Sequence, residues 1–181
     1  MKILVASDIH GSAYWCRRLM EALDREAADT LLLLGDVLYH GPRNDLPQEY
    51  APKEVFAMLN ACSKRVFGVR GNCDAEIDQM VLRFPLMADY CLLPAGERLI
   101  FVTHGHVFHE EQLPPLRPGD ILLHGHTHET VWRELPGGTC YFNPGSVSLP
   151  KNGTAHAYMT IDEKEILWKD MDGGVLHRFT L

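Results

Sequence analysis

The chain has 181 residues, of which 46% are hydrophobic and 23% charged, and its formal net charge is −7. This composition supports a packed core and excludes a largely disordered chain, so we expect one domain over residues 1–181. No apolar run approaches the roughly 18 residues that a membrane helix needs. A protein that wraps long nucleic acid is usually basic, so neither that partner nor a membrane is expected.

The start of the chain predicts a cytoplasmic protein. It is apolar for only four residues and then reaches Asp8 without a cleavage site, which indicates a first strand rather than a secretion signal. The five cysteines are odd in number and form no Cys-x-x-Cys motif. They therefore predict neither a disulfide framework nor a thiolate zinc site.

The first half of the sequence predicts alternating strands and helices. Buried strands are expected at residues 2–6, 30–34 and 65–69, and helices at 12–28, from Pro52 onward and at 74–82. Ser12 suits the N-cap of the first helix, and Pro52 suits the first turn of the second. Residues 40–51 contain Gly41, Pro42 and Pro47 without periodicity, which predicts a long loop of the kind that often serves function.

The second half predicts mostly strands. A hairpin is expected from residues 90–93 and 99–102 with a turn at 94–97, followed by strands at 121–123, 139–142, 155–161, 165–169 and 175–180. Strands and helices in this order favour an α/β protein with two packed sheets and helices outside.

Five short motifs follow or end the apolar runs: Asp8-Ile9-His10, Gly35-Asp36, Gly71-Asn72-Cys73-Asp74, His104-Gly105-His106 and Gly125-His126-Thr127-His128. Because strands of a parallel sheet end at one edge, we expect the motifs to converge in space. They offer two carboxylates, an amide oxygen and at least four imidazoles, which is enough for two divalent cations. Nitrogen and oxygen ligands without sulfur suit Mn, Fe, Co, Ni or Zn rather than Ca.

The charge of such a site favours a phosphate ester. Two divalent cations with two carboxylates and one hydroxide leave about +1, and two cations roughly 3.5–4 Å apart can share a hydroxide that attacks phosphorus in line. This charge slightly favours a monoanionic diester over a dianionic monoester.

Each motif also has a structural interpretation. Asp8-x-His10 alone is a weak signal, and Gly35-Asp36 could be a turn after a strand. The pair His126 and His128 is a stronger signal. His40, in the loop after Asp36, could reach substrate. The remaining histidines are interpreted either as supporting the site (His106, His124) or as solvated (His109, His156, His177).

In this order the five motifs resemble those of the calcineurin-like metallophosphoesterases. Asn143-Pro144-Gly145-Ser146, Gly35-Asp36-Val37-Leu38 and the compact length are similar to the small YfcE-type phosphodiesterases within that superfamily. The resemblance implies a four-layer α/β/β/α sandwich and hydrolysis of phosphodiesters. It also implies two metal sites bridged by Asp36, with Mn²⁺ as the expected metal: Asp8, His10 and His128 at one, and Asn72, His104 and His126 at the other.

Asp36, Asn72, Cys73 and His104 are the expected catalytic residues, and Cys73 departs from the broader superfamily, in which most members carry His. A thiol is a weak hydrogen-bond donor, so leaving groups of low pKa should be favoured. Alternatively, Cys73 only fills space behind Asn72. Asn143 or Ser146 could orient a ligand histidine, or their segment could be a plain turn.

Two other functions remain open at this point. A phosphomonoesterase or nucleotidase would use the same chemistry. A non-catalytic interaction scaffold is the other alternative, because the small subunit of the retromer complex resembles this family with an altered metal site. Here every expected ligand position holds a ligand-type residue, which favours the enzyme. A homo-oligomer is compatible with a chain of this size.

Overall fold

A computed structural model describes all residues, 1–181, and contains two mixed β-sheets. The first sheet has six strands in the order β11-β10-β9-β1-β2-β3, with these bounds: β1 (Ile3–Ala6), β2 (Thr30–Leu33), β3 (Arg65–Gly68), β9 (Ala157–Ile161), β10 (Glu165–Asp170) and β11 (Val175–Thr180). Within it, β1, β2 and β3 are parallel neighbours, and the other pairs are antiparallel.

The second sheet has five strands in the order β4-β5-β6-β8-β7, with these bounds: β4 (Tyr90–Ala95), β5 (Arg98–Thr103), β6 (Ile121–Leu123), β7 (Thr130–Glu134) and β8 (Cys140–Pro144). Its central strands β5, β6 and β8 are parallel, and the edge strands are antiparallel to them. The parallel strands β1, β2, β5, β6 and β8 are largely buried. Strand β3, for which the sequence predicts burial, instead alternates between exposed and half-buried residues because it lies at the edge of its sheet. The carboxyl ends of β1, β2, β3, β5 and β6 lead into the predicted motifs.

Three helices complete the fold: α1 (Ala13–Arg25), α2 (Pro52–Ala61) and α3 (Glu76–Val81). Helix α1 begins as predicted after Ser12, whose hydroxyl accepts a hydrogen bond from the Trp15 backbone N–H at 3.2 Å. It ends before the predicted residue 28 because Ala27 adopts a left-handed backbone with φ of 49°. Helix α2 begins at Pro52, as predicted.

Two main hydrophobic clusters hold the layers together. One packs α1 and α2 against the first sheet and includes Leu19, Leu31 and Leu59. The other lies between the sheets and includes Val5, Val102 and Trp168. The predicted arrangement of two packed sheets is thus confirmed.

A smaller cluster on the outer face of the second sheet is covered by the segment 104–120, which contains no helix. The predicted loop at residues 40–51 is confirmed, since it contains neither helix nor strand. Strand β7 was not predicted. No helix of the protein has the length and apolar character needed to cross a membrane.

Candidate metal centre

The loops that follow β1, β2, β3, β5 and β6 bring the five motifs together. Five predicted site residues have a φ angle between 49° and 66°: Asp8, His10, Asp36, His126 and His128. Residues other than glycine rarely adopt this left-handed backbone conformation, although Asp and His do so more often than most. Such strained positions persist only where the surrounding structure enforces them, and they concentrate at functional sites.

The first group of converging atoms comes from Asp8, His10 and His128, which are all buried. The Nε2 atoms of His10 and His128 lie 3.1 Å apart. Oδ1 of Asp8 lies 3.5 Å from the first of these nitrogens and 3.3 Å from the second. This oxygen is buried and has no hydrogen-bond partner.

Backbone carbonyls determine the tautomers of three site histidines. Each of these rings places Nδ1 against a carbonyl oxygen: His10 against Tyr39 at 2.7 Å, His104 against Leu34 at 2.6 Å and His128 against Leu149 at 2.8 Å. A carbonyl oxygen only accepts, so Nδ1 carries the proton and donates it. In the neutral ring the Nε2 lone pair then points into the site, which is the usual arrangement of histidines that bind metals.

A second group forms around His104. Its Nε2 lies 3.1 Å from Oδ1 of Asn72, 3.3 Å from Nδ1 of His126 and 3.5 Å from Oδ2 of Asp36. Asp36 lies between the two groups, since the same oxygen is 3.6 Å from Nε2 of His10. Asp8, Asp36 and His104 also have ligand atoms within 4.8 Å of one another, whereas His126 belongs to no such three-residue group.

Both carboxylates of the cluster are held in the charged form. Burial opposes the charge of Asp8, but the adjacent imidazoles of His10 and His128 and the charge of His104 outweigh it and place the pKa of Asp8 well below its usual value. Burial likewise opposes the charge of Asp36, and His104 lowers its pKa. The site therefore presents two anionic groups to a cation.

The pKa values of two imidazoles in the second group are shifted in opposite directions. Burial opposes the charged form of His104, but its hydrogen bond to Asp36 and the charges of Asp8 and Asp36 raise its pKa to about 9. Burial and the neighbouring charge of His104 lower the pKa of His126 to about 4. In the metal-free protein the excess negative charge is thus offset by protonation of His104.

Asp74 holds two site loops in register, a role that the sequence analysis missed. Its buried carboxylate accepts backbone N–H bonds from Asp36 at 2.8 Å, Val37 at 2.9 Å and Gly71 at 2.7 Å. A Cβ at Gly71 would overlap Oδ1 of Asp36, so only glycine allows this approach. The neighbouring Cys73 N–H donates to the same oxygen of Asp36 at 2.8 Å.

The segment after β8 anchors the loop that carries Asp8. The hydroxyls of Ser146 and Ser148 both donate to the backbone carbonyl of Asp8, at 2.8 Å and 3.0 Å. Oδ2 of Asp8 accepts hydrogen bonds from the Ser7 hydroxyl at 2.6 Å and from the His126 backbone at 3.0 Å. Only Oδ1 of this carboxylate is left for a ligand.

Asn143 braces the Gly125–His128 loop rather than a ligand imidazole. Its amide donates to the carbonyl of Gly125 at 2.8 Å and to the hydroxyl of Thr127 at 3.0 Å. A side chain at Gly125 would overlap the hydroxyl of Ser7, so this loop packs directly on the Asp8 loop. The segment from Asn143 to Ser146 thus supports the site by hydrogen bonds to backbone carbonyls of the loops that carry Asp8 and Gly125.

Cys73 lies beside Asp36 with its thiol protonated. Burial and the charge of Asp36 raise the pKa of this thiol to about 12. Its sulfur accepts a hydrogen bond from the Asn72 amide at 3.3 Å. Together with His10 and Asp36 it forms a further group of potential ligand atoms within 4.8 Å. A neutral thiol of this kind is neither a nucleophile nor an effective acid at neutral pH.

The cluster opens into a cavity of about 840 Å³. Residues of the 40–51 loop, the loop after β3, the Gly125–His128 loop and Lys151 line it, including Asp36, Asn72, Cys73, His126 and His128. His40 does not line the cavity. Its ring packs against Tyr39 and Tyr50, so the possibility that His40 contacts substrate is not supported.

The other histidines lie outside the ligand groups. His124 is buried with Nδ1 3.0 Å from the carbonyl oxygen of Gly125, and the exposed His106 has its ring centroid 5.4 Å from that of His104. His156 stacks on Trp15 and His177 on Trp132, both away from the cluster.

Comparison with known proteins places this arrangement in a family. A model of the calcineurin-like phosphoesterase superfamily domain matches residues 1–165. Phosphodiesterase YfcE of Escherichia coli strain K12 is 48% identical over 162 residues, which covers 90% of this chain and 88% of that protein.

Solved structures agree with the sequence comparison. The structure of YfcE, described as a phosphoesterase from E. coli, superposes with a TM-score of 0.92 at 43% identity and covers 99% of this chain and 98% of that one. Vps29 of Chaetomium thermophilum superposes with a TM-score of 0.63 at 15% identity and covers 100% of this chain and 97% of that one, so it shares the fold alone. The resemblance predicted from the motifs is confirmed, and with it the fold class of an α/β metallophosphoesterase with two mixed sheets. The outer helical layer expected on the second sheet is not formed, because the helix-free segment 104–120 covers that face.

Proposed function

We propose that this chain, which belongs to the calcineurin-like phosphoesterase superfamily, hydrolyses small phosphodiesters with two divalent cations bound at the candidate metal centre. Membership of the superfamily and 48% identity to a protein named a phosphodiesterase support the class of phosphoric diester hydrolase. The number of cations and the steps of the reaction are inferences from the donor set.

The main support for the proposal is a set of hydrogen-bond acceptor atoms that face one another with no donor between them. Nε2 of His10 faces Nε2 of His128, and the buried Oδ1 of Asp8 has no partner. Electron pairs buried this way cost free energy unless a cation or proton lies between them. The residues therefore fit a divalent cation.

The second cation would use the atoms around His104, with Asn72 and His126. Asp36, placed between the two groups, would bridge them through its carboxylate. Nitrogen and oxygen donors without sulfur suit Mn, Fe, Co, Ni or Zn. Of these we propose Mn²⁺, the metal that the family resemblance implies. When bound, two cations would neutralise the phosphate and activate a water molecule for attack at phosphorus.

The remaining chemistry follows from the chain's own residues. The backbone carbonyls keep three imidazole lone pairs aimed at the cluster, and Asp74 keeps Asp36 beside Gly71. The protonated thiol of Cys73 offers little acid catalysis to a departing alkoxide. Diesters with leaving groups of low pKa should therefore react fastest.

The direct test compares bis(p-nitrophenyl) phosphate with p-nitrophenyl phosphate, first with metal stripped and then with Mn²⁺ restored. We expect activity only with Mn²⁺ and higher kcat/KM on the diester. Asp36→Asn should abolish the Mn²⁺-dependent activity, whereas His177→Ala, far from the cluster, should leave it unchanged. Faster hydrolysis of the monoester would replace diester by monoester as the substrate class. Bound metal without activity on either compound would favour the interaction scaffold.

The cytoplasmic location and the homo-oligomer expected from the sequence stay predictions.

A further inference from the structure

Two exposed cations line the cavity without a counter-charge. Of the basic residues there, Arg70 lies 3.5 Å from a carboxylate oxygen of Glu76. Arg43 and Lys151 also line the cavity, but neither makes an ion pair or a side-chain hydrogen bond.

The two cations come from different loops of the cavity wall. The Lys151 backbone N–H donates to the carbonyl of His128 at 3.0 Å, so Lys151 adjoins the first group of candidate ligands, which contains His128. Arg43 follows Gly41, where an added Cβ would lie 3.0 Å from the sulfur of Cys73. Both residues line the cavity that contains the cluster, so an ester arm that extends into the cavity from a phosphate bound there would pass them.

The scissile phosphate does not need either charge. Under the proposed function, two divalent cations, the carboxylates of Asp8 and Asp36 and one hydroxide leave about +1, which already attracts a monoanionic diester. The cavity, at about 840 Å³, is also far larger than a phosphate group. Arg43 and Lys151 remain free to contact another anion, and both make charge-assisted hydrogen bonds to phosphate oxygens readily.

We propose that Arg43 and Lys151 bind a second anionic group on an arm of the substrate, so that preferred substrates are small phosphodiesters carrying a further phosphate. This inference rests on the proposed function and specifies its substrate class. Hydrogen bonds to charged groups contribute enough to make the preference about tenfold in kcat/KM. Because both cations are exposed, the preference should decrease with ionic strength.

The experiment uses two substrates that differ by one phosphate and share a leaving group: thymidine 5′-(p-nitrophenyl phosphate) and its 3′-phosphorylated form. The Mn²⁺-loaded protein should prefer the phosphorylated form about tenfold at low salt. Arg43→Gln or Lys151→Gln should reduce this ratio toward one. The matched controls Arg83→Gln and Lys164→Gln remove the same charges elsewhere on the surface and should keep the ratio.

Equal kcat/KM for the two substrates at low salt, or a ratio unchanged in both cavity variants, would overturn the anion site while leaving the diesterase intact. Hydrolysis of neither substrate would overturn the proposed function instead. Calorimetry with thymidine 5′-phosphate and thymidine 3′,5′-bisphosphate then tests the anion site without turnover. Tighter binding of the bisphosphate that is lost in Lys151→Gln supports it, and equal affinities contradict it.

Discussion

The Nε2 atoms of His10 and His128 lie 3.1 Å apart, while the Nδ1 atom of each ring faces a backbone carbonyl oxygen. Both rings can satisfy Nδ1 as a donor, so two lone pairs oppose each other when the rings are neutral. A cation between them converts this conflict into two ligand bonds. The same reasoning links the stability of the protein to metal.

Metal should stabilise the folded protein through His10. Mn²⁺ at 100 times its Kd is expected to raise the free energy of unfolding by about 2.7 kcal/mol for each site. His10→Ala should lose at least the part due to the first site. Urea denaturation with and without Mn²⁺ measures this, with His177→Ala as the control. A His10→Ala protein that responds to Mn²⁺ like the wild type would show that this residue is no ligand.

The metal-free protein should become less stable as pH rises from about 6.5 to about 9. His104 has its folded-state pKa raised to about 9, so its contribution is fully present below its unfolded value and is lost as pH rises through the folded one. The expected loss is about 3 kcal/mol. Urea denaturation of the stripped protein across this range tests it. His104→Gln should reduce the dependence and leave the smaller part due to His10, where burial opposes the charge but Asp8 and Asp36 also raise the pKa. Constant stability of the stripped protein would contradict the protonation of His104.

Replacing Asp74 with Asn should disturb the site although Asp74 belongs to none of the groups of candidate ligand atoms. The amide group would meet backbone N–H donors that now bind a carboxylate oxygen, at a cost of about 1–3 kcal/mol. Activity should fall with stability as Asp36 loses its position. Asp24→Asn, at an exposed site on α1, is the matched control. Unchanged unfolding and activity in Asp74→Asn would refute the role.

The sequence was sufficient to predict which residues meet but not how they are held. The motifs follow buried apolar runs, so convergence at the ends of β1, β2, β5 and β6 could be predicted from strand topology. The role of Asp74 depends on contacts with the loop after β2, 37 and 38 residues away in sequence. No local pattern reveals such a contact.

Other differences also have physical causes. Strand β7 escaped prediction because it is a solvated edge strand, Thr130–Glu134, without an alternating or continuous apolar run. The left-handed backbone of Asp8 and His126 cannot be inferred from residue type, since neither is glycine. The position of His40 in the loop after Asp36 left contact with substrate open, but its ring packs against two tyrosines.

Cys73→His should increase the rate on diesters with poor leaving groups. The thiol has its pKa raised to about 12 and does not donate a proton effectively, whereas an imidazole can. The larger ring has room in the adjoining cavity. Across a series of aryl and alkyl diesters, the rates of Cys73→His should depend less on leaving-group pKa than those of the wild type. The control Cys73→Ser should keep the wild-type dependence. An unchanged or lower rate in Cys73→His with metal binding intact would refute the prediction.

The most direct test of the account is anomalous diffraction from crystals of the Mn²⁺-loaded protein, collected at the manganese edge. We predict two peaks roughly 3.5–4 Å apart, as in two-metal hydrolases. One should lie among Asp8, His10 and His128 and the other among Asn72, His104 and His126, with Asp36 touching both. A single peak, or peaks away from these side chains, would contradict the proposed dinuclear centre.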